Sequence, residues 1–192
     1  DLLFAPFLTL SMDAIMNSAG KLRYLSGGQF EFPMVVLART GAGWTVGGQH
    51  NHNLEAMFVH SPGLKVVMPH STADYKGLLK SAIRDPNPVL FFMDMTVGYT
   101  PGPVPEGEHV VPLGQAAVLR AGRDVTLVSY SKTVATCLAA AEQLAQRGVD
   151  AEVIDLRTLK PLDEATILRS VRRTGRLVVV HEAAAPCGVG AE

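Results

Sequence analysis

The chain has 192 residues, of which 47% are apolar and 18% charged, and its formal net charge is −1. This composition excludes a disordered chain, and the near-zero charge excludes a general attraction to nucleic acid or to an anionic membrane surface. No apolar run approaches the ~20 residues of a bilayer-spanning helix. The two cysteines, Cys137 and Cys187, are far apart in the sequence, which is typical of a protein in a reducing compartment.

Helices and strands are predicted to alternate along the first hundred residues. Residues 2–5 have the apolar character of a strand, whereas the apolar spacing over residues 10–24 predicts a helix that Gly27 and Gly28 end. The segments that follow are predicted as strand 33–38, helix 54–60, strand 64–68, helix 73–84 with Ser71 or Thr72 as its cap, and strand 89–93.

A proline-rich segment over residues 98–112 predicts an extended linker to a second series of the same kind. That series is predicted as strand 124–130, helix 133–146, strand 151–156, helix 163–171 with Asp163 as its cap, and strand 176–180. Strands separated by helices of this length indicate parallel sheets. We therefore predict an α/β protein of two parallel-sheet units, with a first domain over residues 1–100, a linker over 101–111 and a second domain over 112–192.

Both ends of the sequence are typical of an internal segment of a longer polypeptide. Residues 2–5 have the character of the middle of a strand, and residues 188–192 that of a glycine loop at the start of a helix. We therefore expect both domains to be partial.

The glycine-rich segment 39–52 is the leading candidate for a functional site. Its four glycines follow a predicted buried strand, and it ends in His50 and His52. Glycines allow close backbone approach to a ligand, and histidines exchange protons near neutral pH, so we predict that His50 is catalytic. The alternative is a loop histidine that only bonds the backbone. A metal pair with His52 is disfavoured because zinc-type spacing is absent, and a dinucleotide site because Val46 replaces its third glycine.

Two further turns carry polar groups that allow more than one interpretation. At residues 81–88, free carbonyls of a helix end and the side-chain oxygens of Asp85 and Asn87 could hold a monovalent cation, or could form an ordinary turn. Residues 155–163 could form a charged site at a strand end or a polar turn into a capped helix. The pair His181–Glu182 ends the last strand and is a candidate subunit contact.

A series of short motifs stands in a fixed order along nearly the whole chain. They are Phe4–Phe7 with Met12–Asp13, Lys21–Gln29, Gly47–His50, Pro62–Pro69, Lys76–Leu79, Ala82–Pro88, Val104–Gly107, Val111–Gly114, Ala151–Asp163 and Val180–Glu182. Together they resemble the beta subunit of the thiamin-diphosphate-dependent decarboxylating component of 2-oxoacid dehydrogenase complexes, a group that includes the pyruvate, branched-chain 2-oxoacid and acetoin enzymes.

This resemblance implies a pyrimidine-binding domain followed by a transketolase-type C-terminal domain. Phe7 matches the aromatic residue that packs on the aminopyrimidine of the cofactor, and Leu3 matches a neighbouring contact. His50 matches the histidine that faces the thiazolium carbon and assists acyl transfer to a lipoyl group. A structural potassium site is implied for residues Ala82, Ile83, Asp85 and Asn87.

The resemblance also implies partners and a location. An alpha subunit would complete a heterotetramer and grip the diphosphate through Mg²⁺, and a lipoyl-bearing acyltransferase core would accept the acyl group derived from a 2-oxoacid. No nucleic acid or membrane partner is expected. The implied compartment is the bacterial cytoplasm, or the mitochondrial matrix in a eukaryote.

Three departures from the family pattern leave alternatives open. The glutamate that activates the aminopyrimidine stands upstream of Asp1 in the family, so the chain alone is expected to be inactive. Residues 93–99, at the end of the predicted strand 89–93, differ from the sequence that is usual there in the family. Asn51–His52 stand where the family usually has Ser-Gln. The alternatives are half of another transketolase-superfamily enzyme and a non-catalytic assembly remnant.

Overall fold

The computed structural model describes residues 1–192 as two four-stranded sheets with helices packed on them. The first sheet has the order β1-β3-β2-β7, and its strands are β1 (Val35–Thr40), β2 (Lys65–Val67), β3 (Val89–Asp94) and β7 (Thr158–Lys160). The second has the order β4-β6-β5-β8, and its strands are β4 (Ala117–Arg120), β5 (Val125–Ser129), β6 (Ala151–Asp155) and β8 (Leu177–Val180). The predicted α/β class with two sheets is confirmed.

The helices connect these strands and cover the sheets. They are α1 (Leu22–Leu25), α2 (Glu55–Val59), α3 (Thr72–Ile83), α4 (Met95–Gly98), α5 (Thr133–Ala145) and α6 (Glu164–Thr174). A 3₁₀ helix (Ala5–Ser11) and a π-helix (Asp13–Ala19) precede α1, and a 3₁₀ turn (Val189–Ala191) follows β8. None of the helices has the length and apolarity to cross a membrane.

The beginning of the chain differs from the sequence prediction. Leu2 makes one isolated parallel bridge to Ala38, but no strand continues through residues 2–5, because the 3₁₀ helix begins at Ala5 with Pro6 in its first turn. Proline favours this position because it lacks an N–H and its φ is already helical. The helix predicted over residues 10–24 is divided into 3₁₀, π and α segments.

The two sheets are mixed rather than wholly parallel. The pairs β1–β3, β2–β3, β5–β6 and β5–β8 are parallel, as predicted. The short strands β4 and β7, which the sequence did not predict, pair antiparallel with β6 and β2. Strand β7 comes from the second half of the sequence but completes the first sheet, so the two halves share hydrogen-bonded structure.

Side chains from both sheets meet in one core cluster of 15 buried residues. Val66, Leu90 and Phe92 enter it from the first sheet, and Val128 and Ile154 enter it from the second. Because these residues interlock across the halves, the sheets are held in a fixed relation by apolar burial.

The helix caps predicted for α3 and α6 are confirmed. Ser71 Oγ accepts a hydrogen bond from the Asp74 N–H at 3.1 Å at the start of α3. Asp163 Oδ1 accepts from the Thr166 N–H at 3.0 Å at the start of α6. Each cap satisfies a backbone donor that the first turn of a helix leaves free.

The proline-rich linker follows the surface of α3 instead of standing free. Glu108 pairs with Lys80 at 2.9 Å and with Arg84 at 2.6 Å, both on α3. The Ser81 hydroxyl donates to the Val111 carbonyl at 2.5 Å, and Val111 is buried beside Gly77, where a Cβ would lie 2.5 Å from the valine Cγ2. The segment predicted as a linker is therefore held against α3 by ion pairs, a hydrogen bond and apolar contact.

A buried carboxylate at the end of β6 leads to a testable pH dependence. Asp155 is fully buried, its Oδ1 accepts from the Arg157 N–H at 3.0 Å, and its Oδ2 has no partner. Burial raises the pKa of Asp155 to about 7, and the nearby Asp74 carboxylate acts in the same direction. Between about pH 4 and pH 7 the folded state therefore keeps a proton that the unfolded state loses, so the free energy of unfolding falls as pH rises.

We expect the neutral variant Asp155→Asn to lack this dependence. Its free energy of unfolding should exceed that of the wild type at pH 8 by on the order of a few kcal/mol, and the advantage should shrink towards pH 4. Urea unfolding at several pH values measures the effect, with the exposed Asp13→Asn as the control. A pH-independent difference between Asp155→Asn and the wild type would contradict the assignment.

Candidate functional site

The candidate site lies on a loop, here called the glycine loop (residues 41–53), that leaves the carboxyl end of β1. Gly41 has φ +123°, and a Cβ there would lie 2.7 Å from Asp94 Oδ2. The Asp94 carboxylate is buried at the end of β3 and caps α4 by accepting from the Thr96 N–H at 2.8 Å. Glycine is required at 41 because any side chain would strain the backbone and press on this carboxylate.

His50 stands near the end of the glycine loop and faces two aromatic rings of the first 3₁₀ helix and its cap. Its ring lies edge-to-face on Phe4, with centroids 4.3 Å apart, and on Phe7, with centroids 5.5 Å apart. The residue is half-buried, and its backbone N–H donates to the Gly47 carbonyl at 3.2 Å. The rings orient the imidazole by aromatic contact and leave its nitrogens without a hydrogen-bond partner in the chain.

The structure thus brings two of the sequence-predicted residues, His50 and Phe7, into one cluster. Phe7 is half-buried, and Leu3 is 52% exposed at the start of the same segment. A cluster of partly exposed apolar and aromatic groups beside one imidazole offers a surface on which a flat heteroaromatic ring can pack.

The base of the glycine loop is bound to the second half of the chain. Glu182 Oε2 accepts from the Ala42 N–H at 2.9 Å and from Asn53 Nδ2 at 2.8 Å. Lys132 Nζ lies 2.5 Å from Glu182 Oε1 and donates to the Ala42 carbonyl at 2.8 Å. Sequence reasoning did not find Lys132, and it noted Glu182 only as a candidate subunit contact.

A second series of hydrogen bonds, centred on the buried Tyr130, also joins the first half of the chain to the second. Tyr130 Oη donates to Glu55 Oε1 at 2.8 Å and lies 3.3 Å from His181 Nδ1, while the Gly190 N–H donates to His181 Nε2 at 3.2 Å. These directions require a neutral His181 with its proton on Nδ1, which agrees with burial lowering its pKa. Burial also raises the pKa of Glu55, whose Oε2 has no partner.

The predicted potassium residues form one turn after α3, but its side-chain oxygens already have partners. Lys65 pairs with Asp85 Oδ2, Asp85 Oδ1 accepts from the Asn87 N–H at 2.9 Å, and Asn87 Oδ1 accepts from Arg23 at 3.1 Å. Burial opposes ionisation of Asp85, but the hydrogen bonds from Lys65 and Asn87 outweigh it and lower the pKa of the carboxyl.

Main-chain oxygens are the remaining ligands that this turn offers to a cation. Among the main-chain hydrogen bonds of turns and loops, none ends on the carbonyl of Ile83, Asp85 or Asn87, whereas the Ala82 carbonyl accepts from the Asp85 N–H at 3.3 Å. Carbonyl oxygens suit hard cations. No group of three or more His, Cys, Asp or Glu side chains is arranged to hold a metal ion, so His50 and His52 have no such companions.

Comparison with known proteins identifies the family of the fold. The profile of the transketolase pyrimidine-binding domain matches residues 1–96, and that of the transketolase C-terminal domain matches residues 114–192. The chain belongs to the transketolase family. Its structure is similar to that of a split-gene transketolase described as an inactive beta4 tetramer, with a TM-score of 0.81, 27% identity, and coverage of 98% of this chain and 59% of the other.

Within the transketolase family, the chain is similar to beta subunits of acetoin and pyruvate enzymes. The chain is 46% identical to the beta subunit of acetoin:2,6-dichlorophenolindophenol oxidoreductase of Cupriavidus necator, over all of this chain and 57% of the relative. It is 46% identical to the mitochondrial pyruvate dehydrogenase E1 beta subunit of Drosophila melanogaster, over 97% of this chain and 52% of the relative. The resemblance seen in the motifs is confirmed, and the chain spans about half the length of these relatives.

Proposed function

We propose that this chain belongs to the beta subunit of a thiamin-diphosphate-dependent 2-oxoacid dehydrogenase component, which decarboxylates a 2-oxoacid and passes the acyl group to a lipoyl arm. The observation that carries the proposal is the half-exposed His50 ring packed edge-on against Phe7. A histidine buried in the core, or turned away from Phe7, would not suit this role. The similarity to beta subunits of pyruvate and acetoin enzymes supports the reaction class.

The residues of the cluster fit an aminopyrimidine ring. Phe7 offers an aromatic surface for the flat ring, and its half-buried position leaves part of that surface free. We assign the neighbouring contact to Leu3, which is 52% exposed. Bound thiamin diphosphate supplies the nucleophile and the electron sink that decarboxylation of a 2-oxoacid needs. The chain's own contribution is to orient the cofactor and to exclude water on the side of the two phenylalanines.

His50 would serve as the acid/base group for transfer to the lipoyl arm. Opening a lipoyl disulfide leaves a thiolate that must be protonated, and an imidazole without a competing hydrogen bond can donate that proton. The aromatic contacts with Phe4 and Phe7 hold the ring in one orientation, which lowers the entropic cost of reaction.

An alpha subunit would supply the other side of the pocket, in a heterotetramer. We assign the diphosphate and its Mg²⁺ mainly to that subunit. The free carbonyls near residues 83–87 would hold a structural K⁺, together with Ala82, so that Asp85 and Asn87 contribute main-chain oxygens rather than their engaged side chains.

An activity panel on the complete gene product tests the proposal. The full-length subunit, co-expressed with its alpha partner, is assayed with thiamin diphosphate and Mg²⁺ against pyruvate, branched-chain 2-oxoacids and acetoin, with a lipoyl domain as acceptor. Acceptor reduction with a 2-oxoacid that depends on both cofactors is the expected result, whereas activity with acetoin alone would indicate cleavage of a hydroxyketone instead of decarboxylation. Activity only with ketose phosphates would support another transketolase-superfamily reaction, and inactivity of an assembled, cofactor-loaded complex would support a non-catalytic role.

A further inference from the structure

One carboxylate from the second half of the chain holds both ends of the glycine loop. Glu182 Oε2 accepts from the Ala42 N–H at the beginning of the loop and from the Asn53 amide at its end, at 2.9 and 2.8 Å. Asn53 extends the restraint to the end of β1, because its Oδ1 accepts from the Thr40 hydroxyl at 2.5 Å and from the Gly41 N–H at 3.0 Å. The Glu182 carbonyl also accepts from Asn53 Nδ2 at 2.9 Å.

Lys132 completes this arrangement, which we call the loop clamp (Lys132 and Glu182). Its ammonium lies 2.5 Å from Glu182 Oε1 and donates to the Ala42 carbonyl at 2.8 Å, so the N–H and the C=O of Ala42 are both held. The side chains are only 22% and 28% exposed. Hydrogen bonds of this kind, with an ionised partner and little solvent, are stronger than those of an exposed ion pair.

The charge state of the clamp is stable near neutral pH. Burial opposes ionisation of Glu182, but hydrogen bonds from Lys132, Asn53 and Ala42 outweigh it and hold the pKa of Glu182 below its usual value. The carboxylate is therefore a permanent acceptor under physiological conditions.

The part of the loop between the clamped ends has little else to fix it. Residues 45–49 are all exposed. The hydrogen bonds on them come from within the loop, as the Gly47 carbonyl accepts from Asn51 Nδ2 at 2.6 Å and from the His50 N–H at 3.2 Å. Trp44 makes two contacts outside the loop: its Nε1 donates to Thr96 Oγ1 at 3.0 Å, and its ring lies 5.3 Å from that of Tyr99. His50 follows directly, so its position depends on how firmly the two ends are held.

We propose that Lys132 and Glu182 are positioning residues that keep the His50 ring against Phe4 and Phe7, and that they thereby set the rate of acyl transfer. This inference rests on the role proposed above for His50. Displacement of an acid/base group by about 1 Å can cost about 100-fold in rate, so loss of the clamp should affect the proton-transfer step more than cofactor binding.

Three variants of the complete subunit, assembled with its alpha partner, test the clamp. They are Glu182→Ala, Glu182→Gln and Lys132→Met, with the exposed Glu142→Gln on α5 as the matched control. The measurements are thiamin diphosphate affinity by calorimetry, the rate of lipoyl acylation, and hydrogen exchange of residues 41–53.

Glu182→Ala should lower the acylation rate about 10- to 100-fold, change cofactor affinity less than about threefold, and speed exchange of the loop amides. Glu182→Gln keeps a neutral acceptor for the Ala42 N–H and should recover part of the rate, which a purely electrostatic effect would not allow. The acylation rate of Lys132→Met should lie between those of Glu182→Ala and Glu182→Gln.

Two results would overturn the inference. One is a Glu182→Ala variant whose acylation and loop exchange match those of Glu142→Gln, and the other is an equal loss of acylation and cofactor affinity. Because exchange needs no turnover, the exchange measurement separates the two proposals. A wild-type complex without 2-oxoacid activity refutes the proposed function, and unchanged loop exchange in Glu182→Ala refutes the clamp.

Discussion

Replacing His50 by alanine should reduce lipoyl acylation about 100- to 10,000-fold while leaving thiamin diphosphate affinity within a few-fold of the wild type. Loss of a positioned acid/base group has an effect of this size. Cofactor affinity should change little, because the apolar surfaces of Phe7 and Leu3 remain. Single-turnover acylation of a lipoyl domain and calorimetry on the assembled complex measure the two quantities.

The histidine two residues further along the chain provides a matched control. His52 is exposed, and we expect His52→Gln to stay within about threefold of the wild type in both measurements. Phe7→Leu should give the opposite pattern, because it removes the aromatic face for the cofactor but not the proton donor. Equal losses of acylation and cofactor affinity in His50→Ala would show that the imidazole is part of the binding surface and not the acid/base group.

The second large effect concerns stability, and it should follow from Gly63→Ala. Gly63 has φ +83°, and a Cβ there would lie 1.7 Å from the Gly20 carbonyl oxygen. The variant must therefore separate the turn before β2 from the end of the π-helix, in addition to straining its own backbone. We expect a loss of about 3 kcal/mol or more in the free energy of unfolding.

Gly28 separates the two contributions because its backbone has the same φ of +83° with nothing within 4 Å of the added Cβ. Gly28→Ala should cost only the conformational strain, about 1 kcal/mol. Chemical denaturation of both variants gives the comparison. Similar losses in the two variants would mean that the close approach to Gly20 is relieved at no cost.

The central strands could be predicted because each is marked by the apolar residues of its own short segment. Short, wholly apolar runs such as residues 89–93 are typical of parallel strands buried on both faces, and β3 extends only one residue beyond this run. The strands β4 and β7 have no such signal. They are short antiparallel strands, and β7 takes its partner from a segment about ninety residues away. Pairing over such a separation leaves no trace in a three-residue sequence.

The candidate site shows the same division. His50 could be chosen as a candidate because a glycine-rich loop after a buried strand is a local pattern, and the motifs of a family extend through it. The clamp could not be found, because Ala42 and Glu182 are 140 positions apart and only the packing of the two halves brings them together. The potassium residues were assigned by resemblance, but the ion pair of Asp85 with Lys65 and the hydrogen bond from Arg23 to Asn87 depend on packing that the sequence does not reveal.

The insertion of β7 beside β2 has a consequence for proteolysis and for genetic splitting. A cut in the exposed stretch 101–108 would sever the backbone without releasing either piece, because Thr158–Lys160 and the shared apolar cluster would still tie them together. A nicked protein should therefore elute as an intact particle under native conditions and separate only in denaturant. Conversely, a gene truncated before residue 158 would expose the open edge of β2, and its product should aggregate.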